Sequence, residues 1–507
     1  MIISLSVLVI TIIVSGTYAL YKAQLSKNIG VNTTTHGLAY YINYVKGTDI
    51  TAATLNPSTS YEGGASSDIE FWKKDDSYDI YGKIELTVNT IGTNLSNSPA
   101  LKYAVVNNGN VLKEGSLKGT TSGSKVTILK NLYLEQTKQI YTVYVWLDNS
   151  EELGNISNES LSISVDCTAS LQKEPTAADT IISLYTSAAK VTATNNSITY
   201  NTAPSVSLMN DRLGGTTTDL DGGNIRYYGA NPNNYIYFNC SDYSNQTSST
   251  CETWRIIGVF NGKLKLIRGS QIGKYSWDNK NTSTGAENNY GKNDWTTARL
   301  MKLLNPSDYY KVDSNDNNLG QSLYYNSTSG KCYSGQNNAT VDCDFTSTGI
   351  KNEETRNMIA ETTYNLGGWN SSSVYPNQIY EYERGTTVYT GRPTTPWTGK
   401  IALAYPSDYG YAADLNQCKD KTLYDYDNST CTSNNWMKAI IAPNYGWLLT
   451  PDSGYSHRAW AVGSDGYVRH YFAYTAAVAV PVLSLSSELG IESGGDGSSS
   501  KPYKLSA

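Results

Sequence analysis

Charge is scarce in this chain. Only 17% of its 507 residues are Asp, Glu, Lys or Arg, below the roughly 25% of ordinary soluble domains, so uncharged polar groups must cover its surface. Lysine and arginine gather into no basic stripe and the formal net charge is −6. This argues against a nucleic-acid partner, because phosphate binding needs clustered cations. Histidine is rarer still, with only His36, His457 and His470. No Cys-x2-Cys pair accompanies them, so a zinc site lacks its usual ligand spacing. The run 313–318 begins like a calcium loop, but its sixth position is Asn318 and its twelfth Tyr324. It lacks the glycine and the bidentate glutamate such a loop needs, and reads as a solvated polar loop. There is no Gly-Lys-Ser/Thr phosphate cradle, no Gly-x-Ser-x-Gly nucleophile elbow and no repeat of 20–50 residues. Neither a cofactor nor an enzymatic activity is expected.

Long apolar runs are equally few. Residues 2–14 form an almost wholly apolar stretch, too short for the roughly 20 residues of a spanning helix. The small-residue segment Ser15-Gly16-Thr17-Tyr18-Ala19 follows. The pattern reads as an export signal cleaved after Ala19. No basic residue precedes the run, so either the signal is atypical or its start lies upstream. An uncleaved anchor over residues 2–21 is the alternative.

What the chain has in plenty is Tyr and Gly, 42 of each, with many Asn, Ser and Thr. Tyrosine and threonine favour strands, and Asn, Gly and Ser favour turns. The fold class expected is mainly β with some α. Length alone calls for two or three domains, and the periodicity divides them. Residues 1–28 are signal or anchor. Within 29–167, apolar residues alternate at Leu38, Tyr40, Ile42 and Tyr44, at Ile84, Leu86 and Val88, at Val126 and Ile128, at Tyr141, Val143 and Val145, and at Leu161, Ile163 and Val165. Period-two alternation means one buried and one wet face, and a β-sandwich follows. Residues 168–200 read as a linker holding a helix over 177–190. Residues 201–507 are a larger α+β domain with eight of the ten tryptophans. Within it, Asp294 predicts a helix starting at Trp295, and Asn352 a second one reaching to Asn365. Asn261-Gly262 predicts a two-residue hairpin, and Ser464-Asp465-Gly466 turns a last hairpin between 459–462 and 467–472.

Six of the seven cysteines fall into close couples, Cys240 with Cys251, Cys332 with Cys343 and Cys418 with Cys431, each bracketing a polar segment. Three local disulfides are expected, and with them an oxidising, extracellular or cell-surface location. Cys167 is left over, either free or paired between chains. The aromatic surplus is mostly core. Exposed candidates flank the last hairpin: Asp452, Tyr455, His457, Arg458, His470 and Tyr471 form the expected ligand face.

Two resemblances can be named. Gly16-Thr17-Tyr18-Ala19-Leu20-Tyr21, followed by a strand-rich region, looks like the start of TasA/camelysin-type surface and matrix proteins. Their cleavage sites usually precede an aromatic-Ser/Thr-Asp sequence, where this chain has Tyr21-Lys22-Ala23. Residues 200–507 resemble an uncharacterised C-terminal domain of Gram-positive surface and pseudopilin-like proteins. The matching pieces are Asn224-Ile225-Arg226-Tyr227-Tyr228-Gly229, Trp254-Arg255-Ile256-Ile257-Gly258, Asn293-Asp294-Trp295, Trp447-Leu448-Leu449-Thr450-Pro451, Pro481-Val482-Leu483-Ser484-Leu485 and Gly494-Gly495-Asp496-Gly497. The family's Arg before Pro-Val is Val480 here. The closing pattern is similar to the C-type-lectin-like fold of formylglycine-generating enzymes, a likeness of fold that carries no function. Cys418 and Cys431 are spaced for a loop-closing bridge rather than for that oxidation chemistry. Two functions remain: a non-catalytic adhesion or recognition module for a surface glycan or protein, and a structural subunit that self-associates in a matrix or pilus-like fibre. A membrane is met only through the N-terminal segment.

Overall fold

The alternating segments of the first part pair as strands, and their apolar faces meet. The computed structural model describes residues 23–24, 41–51, 55–151, 153–156, 159–213, 222–278, 290–311, 322–326, 329–332, 341–370, 372–389, 392–393 and 396–506. Ala19 and the apolar run before it lie outside these, as does the segment 313–318. The chain forms two compact units, residues 1–174 and 175–507.

In the first unit one sheet orders Ala23–Gln24, Leu161–Ser170, Tyr81–Ile91 and Lys125–Tyr133, with Ile50–Thr51 also pairing on Leu161–Ser170. The second orders Ile42–Val45, Ala65–Lys73, Ile140–Asp148, Leu101–Asn107 and Asn110–Ser116. Ile84, Leu86, Val88, Ile163 and Val165 from the first meet Ile69, Phe71, Val143 and Val145 from the second in one core. The expected β-sandwich is therefore present. Each fully buried aliphatic contributes roughly 1.5–3 kcal/mol. Gly82 is part of this fit, because a Cβ there would stand 2.4 Å from the Phe71 ring. Cys167 is free and buried in the same core, and burial pushes its thiol well up. That burial removes the pairing between chains.

Apart from the short irregular run 171–176, the stretch 168–200 is built into the two units and is not a linker. Its start belongs to strand Leu161–Ser170, and helix Ala177–Ser187 is built into the second unit, as is the hairpin Val191–Asn195/Ile198–Ala203. A reciprocal cap starts the helix: Asp179 N donates to Thr176 Oγ1 at 3.1 Å, and Thr176 N to Asp179 Oδ2 at 2.9 Å. Ala178, Ile181 and Tyr185, spaced to share one face of a helix, enter the core of the second unit, with Ile182 and Leu184 packed partly buried beside it.

That unit holds a nine-stranded and a five-stranded sheet. The larger includes Ile225–Tyr227, Glu252–Phe260, Lys263–Arg268 and Val482–Ser484, with Tyr235–Phe238 paired on Glu252–Phe260. Asn261 and Gly262 both take positive φ at the predicted hairpin. Arg226 lies in this core, bridging Asp211 at 2.5 Å and Asp408 at 2.9 Å, and Lys265 meets the other Asp408 oxygen. The two predicted helices are shorter than expected. Asp294 caps only a turn, and the helix itself is Arg299–Leu304. Asn352 caps Glu353–Met358, accepting from Thr355 N at 2.9 Å, and strand Thr362–Tyr364 replaces the remainder. Edge pairing with Trp397–Gly399 takes residues 362–364 out of the helix. Disulfides join Cys240 to Cys251 and Cys418 to Cys431. Strand Ser329–Cys332 pairs with Val341–Asp344, while the side chains of Cys332 and Cys343 lie outside the described residues.

Candidate functional site

The five-stranded sheet runs Gly273–Ser276, Ala476–Ala479, Gly446–Pro451, Arg458–Val462 and Val468–Phe472, the last forming its edge. Residues 463–467 turn the final hairpin as expected. Gly463 N donates to Tyr467 O at 2.8 Å, and Gly466 adopts φ 96°, which disfavours any side chain there. Register places Arg458 opposite Phe472 and Trp460 opposite His470, whereas Tyr471 faces Ala459. Successive strand residues point to opposite faces. His470 and Phe472 therefore share a face with Arg458, and Tyr471 lies on the other, packed on Tyr445 at 4.8 Å. Tyr471 does not join the predicted ligand face.

Nor is Asp452 exposed: it is wholly buried. Its carboxylate accepts from Gly454 N at 2.8 Å and bonds His470 Nδ1. The other imidazole nitrogen, Nε2, lies 3.0 Å from Arg458 Nη1. Guanidinium can only donate, so Nε2 accepts and Nδ1 carries the hydrogen toward Asp452. The guanidinium in turn lies 4.1 Å over the Tyr455 ring and 4.9 Å over Phe472. An acid–imidazole pair of this kind activates a nucleophile in hydrolases, but here the outer nitrogen accepts from a guanidinium, which donates a hydrogen bond without giving up its proton. The chain Asp452–His470–Arg458 positions rings. Asn293 locks the intervening loop by donating to the carbonyls of Asp452, Tyr455 and Arg458 at 2.7–2.8 Å.

Around this anchor lies a ledge of near-parallel rings. His457 and Phe472 stack at 5.5 Å and 14°, Phe472 and Tyr474 at 5.6 Å and 8°, and Tyr290 and Phe472 at 5.0 Å and 24°. Tyr290 and Tyr455 are 43% and 44% exposed, enough for ring faces to meet a ligand. Burial and then the Arg458 charge hold the His457 imidazole below its ordinary range, so it stacks as a neutral ring at neutral pH. Trp460 packs on the His470 ring at 5.2 Å and stacks in turn on Trp369 at 3.8 Å, both tryptophans fully buried. No group of three or more His, Cys, Asp or Glu suited to a metal occurs among the described residues.

The structure brings Tyr455, His457, Arg458 and His470 together, with Asp452 buried beneath them. Sequence reading missed Tyr290, Phe472, Tyr474 and Asn293. Period-two alternation along 467–472 could have found Phe472, since it shares a face with His470 and excludes Tyr471. Tyr290 is distant in sequence and left no local signal.

No family model matches the chain, and no curated protein matches it. Among solved structures, a mutant of HCR/D is 12% identical with a TM-score of 0.15, covering 50% of this chain and 73% of that one. The receptor-binding domain of botulinum neurotoxin mosaic serotype C/D is likewise 12% identical with a TM-score of 0.15, covering 52% and 74%. At such scores neither carries an argument about fold or function.

Proposed function

We propose that this is an extracellular, non-catalytic recognition protein whose second unit binds a glycan on the ledge formed by Tyr290, Tyr455, His457 and Phe472. One observation carries the reading: partly exposed rings are held rigid by the Asp452–His470–Arg458 chain and the Asn293 clamp. Aromatic rings offer a large contact area with little side-chain freedom to lose, and they anchor interfaces for that reason. The charge-poor surface suits a hydroxyl-rich partner. The two disulfides support an oxidising location, and with it an exported protein. We also place the second unit with the C-terminal domains of Gram-positive surface proteins, on the sequence pieces quoted above.

Screening the full chain on a glycan array tests this, followed by titration of the best sugar against a Tyr455→Ala/His457→Ala variant. Binding is expected to weaken at least tenfold while the melting temperature is kept. Unchanged binding by the variant overturns the assignment of the face. Concentration-dependent fibres with no glycan bound favour the structural-subunit reading instead.

A further inference from the structure

A second feature of this unit is independent of the ledge. Arg255 sits on strand Glu252–Phe260 and is only 7% exposed. Its guanidinium is clamped between two rings, 3.7 Å from Tyr235 and 4.9 Å from Trp436. Nε donates to Asn234 Oδ1 at 2.5 Å, and Nη2 to the Pro232 carbonyl at 3.2 Å. Every one of these partners is neutral. The nearby carboxylate, Glu252, is taken up by Arg268, at 2.8 Å to Nε and 3.1 Å to Nη2. Arg226 shows the contrast within the same sheet, a buried arginine held by two aspartates.

Burial lowers the Arg255 pKa to about 10, with nothing but the Tyr235 phenol opposing the shift. A buried charge without a counter-charge is costly, and natural chains keep one where something else neutralises it. Among the described residues no acceptor meets Nη1, and Arg255 lines a half-open groove of about 400 Å³ with Tyr235, Glu252, Thr253, Arg268, Gly269, Ser270 and Ile440. That volume lies within the range of small-ligand sites. Arg268 and Glu252 neutralise each other, so the wall carries the net charge of Arg255. Its remaining surface is an aromatic ring, an isoleucine and the hydroxyls of Thr253 and Ser270. Such a wall suits a small molecule carrying one carboxylate on a hydroxylated ring.

We propose that this groove is a binding site for an acidic sugar, with Arg255 Nη1 and Nη2 pairing its carboxylate and the ring resting against Tyr235 and Ile440. Charge-assisted pairing of guanidinium with carboxylate is among the stronger polar contacts, and its planar fork favours carboxylate over a neutral hydroxyl.

The test titrates the full chain with glucuronate, glucose, acetate and inorganic phosphate, following tryptophan fluorescence and calorimetry. Glucuronate should bind at least tenfold more tightly than glucose, and more tightly than acetate or phosphate. Arg255→Gln should remove that preference. Ser270→Trp, at an exposed position on the rim, should block the groove and weaken glucuronate at least tenfold without touching the Arg255 cage. It keeps the test decisive if the Arg255 variant fails to fold. Equal affinity for glucose and glucuronate, or an unchanged glucuronate affinity in Ser270→Trp, overturns the proposal. Phosphate binding as tightly as glucuronate overturns the acidic-sugar assignment in favour of a general anion site. Tyr455→Ala/His457→Ala should leave this binding intact, so failure here and failure of the ledge are separable.

Discussion

At the scale of single residues, environment rather than residue type sets behaviour. Glu383 is buried, its carboxylate receiving Ser407 N at 2.8 Å and Ser407 Oγ at 2.6 Å. Burial still outweighs these bonds and raises its pKa from 4.5 to about 7. The folded protein therefore holds this proton where the unfolded chain has lost it. Stability from this group is full below about pH 4.5 and is lost as pH rises through about 7. Glu383→Gln should gain on the wild type by up to roughly 3 kcal/mol between pH 4.5 and 8. Paired urea titrations across that range check it, and an unchanged difference between the two proteins refutes the buried-proton account. His470 supplies a second test. With Arg458 donating to Nε2, nitrogen-15 NMR should find the hydrogen on Nδ1. In Asp452→Asn the loss of the charged acceptor should cost about 1–3 kcal/mol, read from thermal unfolding. A hydrogen on Nε2 would contradict the positioning chain. None of these roles could be read from composition. Asp452 was expected on the surface because aspartate usually is. It is buried because the fold brings a histidine eighteen residues away onto its carboxylate.

Elements were legible where local chemistry decides them. The hairpins at Asn261-Gly262 and Ser464-Asp465-Gly466 form as expected because their residues tolerate the backbone their turns require. The helix beginning at Ala177 starts where Thr176 and Asp179 cap it. The helix after Asn352 stops short of its expected end because a cap signals a start, while pairing with Trp397–Gly399 decides where it ends; after Asp294 the difference lies at the start, where the cap closes a turn and the helix begins only at Arg299. The disulfide couples belong to this scale too. Cys418 and Cys431 clip a turn-rich segment that holds the 3-10 turn Leu423–Asp425 and the start of the short helix Ser429–Ser433. Replacing both with serine should lower stability by about 2–3 kcal/mol through the added freedom of the unfolded chain. A melting temperature equal to wild type under non-reducing conditions would show that surrounding packing suffices without the bridge.

For the whole molecule, the division at residues 174 and 175 predicts two separately folding pieces. Limited proteolysis should cut within 171–175 rather than across the wider stretch 168–200, because helix Ala177–Ser187 and the hairpin after it are built into the second unit. A fragment of residues 175–507 should melt cooperatively and keep any glycan binding shown by the full chain. A fragment that fails to fold alone would refute two independent cores. Sequence by itself determined the mainly-β class, the sandwich of the first part, the local bridges Cys240–Cys251 and Cys418–Cys431 and the aromatic strand carrying His470, because each follows from periodicity, turn chemistry or short spacing along the chain. Only the tertiary structure decided that Tyr290 joins Phe472, that Asp452 anchors rather than displays, and that Arg226 meets two aspartates while Arg255 meets no carboxylate among the described residues. Those outcomes depend on which distant segments the sheets bring together, and charge compensation in a core is a property of that arrangement rather than of any stretch of sequence.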